Sequence, residues 1–409
     1  MKNRPSYMKI LMEFKDKNII KIVTGIRRCG KSTLLQLFLQ KLIADNVPKE
    51  NIIYMNFESL HYKEIKNYLS LYQTISEKVA PVGKTYIILD EIQMVKHWAK
   101  AINSFQVDFD TDIYITGSNA YLLSSELSTM LSGRYVEIKM FPLSFREFLT
   151  FHSFESTVTM DERFQKYLKF GGMPAISEYN FNQQRINDML EGIYSTVILK
   201  DVLERNKIGD QMLLQKIVTF LADNIGNIVS PNSIGNFLTH EGDIYEGKGR
   251  KNPASKTVES YINMLEKSFI FYGIKRYDIK GKQHLKTLGK YYIVDMGLRN
   301  MLLGYRDVDR GHILENIVYF ELLRRDYRVF IGKVGEKEVD FIAERPDDKI
   351  YVQVTETMLG EETRQRELAP LREISDHYEK IVLSMDKSFI SSYDGIKSKN
   401  IVDFLLDVQ

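Results

Sequence analysis

Residues 19–33 read IIKIVTGIRRCGKST, and this stretch decides the fold. Residues 19–24 are a short apolar run with β-branched members, the composition of a buried strand. The run passes without a gap into Gly25-Ile26-Arg27-Arg28-Cys29-Gly30-Lys31-Ser32, which matches the phosphate-loop pattern G-x-x-x-x-G-K-S/T. The next segment, KSTLLQLFLQKLIA (31–44), is rich in leucine and free of Gly and Pro, which predicts a helix. Strand, glycine loop and helix together are the setting that such a loop requires. Glycines let the backbone wrap a phosphate without a Cβ in the way. Backbone N–H groups and the positive end of the helix then face the phosphate oxygens. On this reading Gly25, Ile26, Arg27, Arg28, Cys29, Gly30, Lys31, Ser32 and Thr33 line an ATP site. Lys31 neutralises the β and γ phosphates, and Ser32 places its hydroxyl on Mg2+.

The second half of the site is expected at YIILDE (86–91), an apolar strand that ends in two acids. Asp90 holds the water shell of the metal, and Glu91 orients and deprotonates the attacking water. A third strand, IYIT (113–116), runs into Gly117-Ser118-Asn119. Asn119 and Ser118 either contact the γ-phosphate or the water, or simply turn the chain. Arg134, in Leu131-Ser132-Gly133-Arg134, is either a finger on the nucleotide of a neighbouring copy in a homo-oligomer or a surface arginine. Spacing alone favours the surface arginine.

A chain of 409 residues has room for two to four domains. With 44% hydrophobic and 27% charged residues it has the balance of a soluble globular protein. No apolar run is long enough to span a bilayer, so no membrane partner is expected, and no secretory leader is visible. A single cysteine excludes an intrachain disulfide and a cysteine-based zinc site, and a reducing cytoplasm is the simplest compartment. The net charge of +2 hides an uneven distribution. From Glu246 to Lys290 there are eleven Lys or Arg against four Asp or Glu.

After Pro142 the pattern turns helical: SFREFLTF, then ERFQKYLKF up to the Gly171-Gly172-Met173-Pro174 stop, then roughly residues 183–205. From residue 211 three helices are expected: LLQKIVTFLADNIG, then Asn232–Leu238, then Ser255–Leu265. Two strands, FIFYGIKRYD and YYIVD, flank GKQHLKTLG. Three helices and a two-stranded wing form the winged helix-turn-helix pattern. Its basic residues are Lys256, Lys275, Arg276, Lys280, Lys282 and Lys286. Double-stranded DNA held through residues 246–290 is one reading, and a winged helix used for protein contacts is the other. The C-terminal part reads helix (HILENIVYFELLRR), three strands (YRVFIGKV, KEVDFIAE, KIYVQVTE), a helix over about 361–377, and a strand (KIVLS).

These pieces resemble the prokaryotic AAA-type ATPases that carry a C-terminal restriction-endonuclease-like domain. The matching strings are GIRRCGKST, YIILDEIQ, TGSNA, LSGRY, FPLSFREFL, FGGMP, KDVLER, LENIVYFELLRR and EVDFI, in the family's order over nearly the whole chain. The resemblance implies an α/β architecture: a P-loop NTPase with a parallel sheet, a helical lid, a winged helix-turn-helix and a nuclease-like α/β domain. The corresponding boundaries are 1–145, 146–205, 206–300 and 301–409. It also strengthens Arg134 as a finger. In active nucleases of this fold two acids and a lysine hold Mg2+ and activate water. Glu315 and Asp340 match the acids, but Gln353 replaces the third-strand acid and Thr355 the lysine, so little or no cleavage is expected. A lysine moved to Lys333 or Lys337 would restore the site. The expected function is hydrolysis of ATP to ADP and phosphate in a DNA-associated switch or motor. The alternative is a signalling NTPase that binds protein or peptide, with an ATP-governed nuclease behind both.

Overall fold

The computed structural model describes residues 2–118, 131, 133–204, 210–240, 254–281, 283–306, 310–387 and 390–407. Two compact units result: Met1–Pro142 with Lys267–Phe269, and Leu143–Glu266 with Ile270–Gln409.

The first unit is a five-stranded parallel sheet in the order β2-β3-β4-β1-β5. The strands are β1 (Ile20–Thr24), β2 (Ile52–Asn56), β3 (Thr85–Asp90), β4 (Thr111–Gly117) and β5 (Tyr135–Lys139). Helix α1 (Pro5–Glu13) precedes β1, and α2 (Lys31–Ala44) follows the glycine loop. Helices α3 (Tyr68–Ser76) and α4 (Trp98–Asp108) pack into one apolar core with the sheet. All residues of β1 and β3 are buried, as strands covered on both faces must be. The lysine inside the apolar run, Lys21, is fully buried and ion-paired with Asp112 of β4. Asp112 also accepts from Tyr114 at 3.0 Å and from the Asp16 N–H at 2.8 Å. Burial lowers the Lys21 pKa and this pairing opposes it, so the charge is tolerated in the core.

In the second unit come α5 (Phe145–Phe151), α6 (Met160–Phe170) and α7 (Gln183–Thr196), the last continued as a π-helix over Val197–Glu204. Ser144 and Glu147 of SFREF close a reciprocal cap on α5, at 3.2 and 2.9 Å. Helices α8 (Gln211–Asp223), α9 (Pro231–His240) and α10 (Ser255–Lys267) follow, then β6 (Phe271–Asp278), β7 (Gln283–Ile293) and α11 (Met296–Leu303). The FGGMP stop is a junction. Gly172 N–H donates to Asp295 Oδ2 at 2.6 Å, its carbonyl accepts from Leu143 N–H at 2.7 Å, and a Cβ on it would lie 2.4 Å from the Leu143 oxygen.

The rest is α12 (Arg310–Arg324), β8 (Arg328–Val334), β9 (Lys337–Arg345), β10 (Asp348–Val354), α13 (Glu361–Arg372), β11 (Glu379–Ser384), β12 (Ser392–Tyr393), β13 (Ile396–Asn400) and α14 (Ile401–Leu405). The helix, three strands, helix and strand expected here are all present. Two features differ from the sequence reading. GKQHLKTLG, read as a connection, is strand from Gln283 onward, because its backbone pairs with Arg276–Asp278 beyond a bulge. The strands assigned to the wing also join the C-terminal ones in a single eight-stranded sheet, ordered β12-β13-β11-β10-β9-β8-β6-β7. The link is the parallel pairing of Arg276–Asp278 with Ile331–Lys333, so the boundary drawn at 300/301 falls within one hydrogen-bonded sheet. Among the described residues no helix is long and apolar enough to cross a membrane.

Candidate nucleotide site

The strand order brings the C-terminal ends of β1, β3 and β4 side by side: Thr24 lies opposite Gly117, and Leu89 opposite Ile115. Open parallel α/β sheets bind ligands along that edge. The glycine loop turns there with Gly25 at φ +141°, Arg28 at φ +65° and Gly30 at φ +104°. A Cβ at Gly25 would stand 2.1 Å from the Met140 carbonyl oxygen, so the backbone approach itself demands glycine. Gly30 caps α2 without any side-chain hydrogen bond, which leaves first-turn N–H groups to an anion. Lys31 is buried, and its Nζ donates to the Gly25 and Ile26 carbonyls at 2.8 and 3.1 Å. These partners are neutral, so a phosphate can take their place at a gain in charge pairing.

Asp90 ends β3 with no exposure to solvent. Its carboxylate accepts from Asn56 at 2.9 Å and from the Thr116 hydroxyl. Burial raises its pKa and Glu91 adds to the rise, while the Thr116 and Ser32 hydroxyls and Lys31 oppose it. Glu91 stands next in a left-handed conformation, φ +54°. Its N–H donates to Thr116 Oγ1 at 3.0 Å, and its carboxylate accepts from Gln93. The Ser118 hydroxyl is fully buried and has no hydrogen-bond partner among the described residues.

The family model of an AAA domain matches residues 17–149, and that of a domain of unknown function matches residues 161–309. Over 408 residues the chain is 41% identical to an uncharacterized protein of Haemophilus influenzae, covering 99% of each chain. The chain belongs to that protein's family. An uncharacterized protein of Methanocaldococcus jannaschii is 28% identical over 371 residues, which are 86% of this chain and 77% of that one. Among solved structures, a Walker-type ATPase of Pyrococcus abyssi is similar at 16% identity and a TM-score of 0.49, over 74% of this chain and 96% of that one.

In this AAA domain the residues expected together, Lys31, Ser32, Asp90 and Glu91, do converge. Arg134 does not join them. It is exposed, and its carbonyl accepts from Ile20 N–H at 2.9 Å. Ile20 begins β1 and the glycine loop follows its end, so about 13 Å of strand separates them at the usual rise per residue. Asn119 lies outside the described residues. Cys29 is fully buried. Sequence reasoning missed Thr116, Asn56, Gln93 and the residues that brace the loop from α1. Arg4 donates to the Cys29 and Phe141 carbonyls at 3.2 and 2.7 Å, and Tyr7 accepts from Phe141 N–H at 3.1 Å. A polar residue at the end of an apolar strand, as in IIYMN and IYIT, was the signal for the first two.

A second polar cluster lies in the other unit. Glu315 of α12 and Asp340 of β9 are both buried and face Lys290 of β7. Burial would lower the Lys290 pKa, but Glu315, Asp340 and Glu338 together raise it. Gln353 stands where a third acid was sought: it accepts from Asp340 N–H at 3.3 Å and donates to Glu367 at 2.9 Å. Thr355 donates to the Thr357 carbonyl at 3.4 Å. The lysine in the cluster is Lys290 and not Lys337, which pairs with Glu373 at 2.7 Å. Of the basic residues proposed for DNA, Lys256 and Lys275 are exposed, and Lys280 is ion-paired with Glu373 at 3.3 Å. Lys282 and the Lys286 side chain lie outside the described residues.

Proposed function

We propose that this chain binds ATP with Mg2+ at residues 25–33 and hydrolyses it to ADP and phosphate. The observation that carries this is the Thr116 hydroxyl, which donates to Asp90 and accepts from Glu91 N–H and so fixes both acids beside the loop. The residues present fit Mg2+, since Ser32 and Asp90 offer only oxygen donors and the buried Ser118 hydroxyl still lacks a partner among the described residues. Ser32 would hold the ion directly and Asp90 through its water shell, and bound Mg2+ supplies neutralisation of phosphate charge. Lys31 and the first-turn N–H groups of α2 bind the phosphates. Glu91 takes the proton of the attacking water, and Asn119, outside the described residues, is assigned to the γ-phosphate or the water on its place in the sequence alone. Arg134 acts on the nucleotide of a neighbouring copy, a role consistent with its distance from its own loop.

The test is Glu91→Gln. ATP affinity is expected to stay near wild type while phosphate release falls by about 10²–10⁴-fold, the usual worth of a general base. Release at the wild-type rate overturns the assignment.

The nucleotide cycle works a DNA-associated switch. The basic excess of residues 246–290 and the exposed Lys256 and Lys275 support this reading. The alternative partner, protein or peptide, is supported by Lys280, whose charge is already engaged by Glu373. Lys256→Glu with Lys275→Glu is expected to weaken duplex binding and to flatten its salt slope by about one unit per lost phosphate contact. An unchanged slope favours the protein-binding reading.

A further inference from the structure

Lys290 brings its own charge to a pocket of acids. The side chain is 5% exposed, and its Nζ lies 2.9 Å from Glu338 Oε1, 3.2 Å from Glu315 Oε2 and 3.7 Å from Asp340 Oδ1. The carboxylates come from α12 and β9 and the ammonium from β7, so three elements converge on one point. The surroundings are closed except at Glu338, whose side chain is 28% exposed. Tyr292 donates to the same Glu315 oxygen at 3.1 Å, and Val354 N–H donates to Asp340 Oδ2 at 2.8 Å. Backbone covers Glu315 as well: Gly226 has φ +74°, and a Cβ on it would lie 3.0 Å from Glu315 Oε2 and 2.8 Å from His312 Nδ1. Among the described residues no three His, Cys, Asp or Glu side chains are grouped to hold a metal ion.

Carboxylates gathered this closely, two of them buried and Glu338 partly exposed, need a counter-charge, because an uncompensated buried ion is strongly disfavoured. A hard divalent ion can supply it through the same oxygens. So can an ammonium, and one tethered to the chain cannot be washed out or exchanged. We propose that the Lys290 ammonium stands in the place of a divalent cation in the Glu315–Glu338–Asp340 pocket, closing the wild-type pocket to metal. A neutral side chain of similar length in its place opens the pocket to Mn2+. This inference does not depend on the ATPase reading.

The experiment titrates Mn2+ into nucleotide-free, full-length Lys290→Met and wild type, and follows bound ion by electron paramagnetic resonance and melting temperature in parallel. Lys290→Met is expected to take up one equivalent more than wild type and to be stabilised by Mn2+, which wild type is not. Adding Asp340→Asn abolishes both effects, and Lys290→Arg, which keeps the charge, behaves as wild type. A folded Lys290→Met protein with no extra uptake overturns the proposal. So does wild-type uptake that Asp340→Asn removes. A Lys290→Met protein that folds neither with nor without Mn2+ also overturns it, because the ion has then failed to replace the ammonium.

Discussion

At the edge of the parallel sheet, Lys31 rests on two backbone carbonyls beside a buried acid, whereas Lys290 sits among three carboxylates. Both clusters use acids, a lysine and a close glycine backbone, yet their polar accounts differ. Around Lys31 the α2 N-terminus is uncapped by any side chain, and the Ser118 hydroxyl lacks a partner among the described residues. Around Lys290 the charges answer one another, and the one open polar atom beside them is the buried His312 Nδ1, 3.6 Å from Glu315 and without a hydrogen-bond partner among the described residues. Buried polar groups are almost always satisfied, so an open account at a strand edge marks the place of a ligand. A closed one marks a joint in the architecture. Residue types alone do not separate the two cases; the partners do.

Gly25→Ala strikes the open site hardest. The left-handed strain and the overlap with the Met140 oxygen each cost about 1–3 kcal/mol. Loss of ATP binding with a clear fall in melting temperature is expected, and a stable, ATP-binding variant would show that the loop relaxes freely.

A closed group is sharpened by pH. Burial pushes the Asp295 carboxyl from an ordinary 3.8 up to about 6, although three backbone N–H groups pull it down. The folded state thus holds this proton more tightly than the unfolded chain. Its stabilising effect is complete below the unfolded pKa and is lost as pH rises through about 6, a change of about 3 kcal/mol over the full span. Urea unfolding at acid and neutral pH is expected to show this loss in wild type and not in Asp295→Asn. Equal pH dependence in the two proteins would remove Asp295 as its source.

Thr116→Val keeps the shape of β4 but deletes the bridge between Asp90 and Glu91. Supporting residues of this kind carry about 10–100-fold in activity, so the turnover number is expected to fall by that factor with little change in ATP affinity. A larger drop in affinity than in turnover would mean that Thr116 serves binding instead. The smallest effect is expected at Cys29. Its place in the loop puts the thiol next to the phosphate site, but the side chain is fully buried. Maleimide labelling of the native protein is expected to be slow with or without ATP, and rapid labelling that ATP blocks would show that the loop opens.

What the sequence determined by itself is the part of the site that is contiguous. GIRRCGKS places its glycines, lysine and serine by local turn geometry, and DE follows an apolar strand, so neighbours in the chain are neighbours in space. The helix and strand order of the C-terminal part was legible for the same reason, through hydrophobic periodicity and Gly-Pro punctuation. Tertiary structure alone decided the rest. Strand order β2-β3-β4-β1-β5 is not chain order, and it brings Asn56 and Thr116 to Asp90 from strands on either side. The pairing of β6 with β8 fuses two regions that composition separates. Lys290 enters the sequence reading only as the last basic residue in the charge count of 246–290. Only the folding of β7, α12 and β9 against one another makes it the counter-ion of three acids, because charge pairing depends on distance through space and not along the chain.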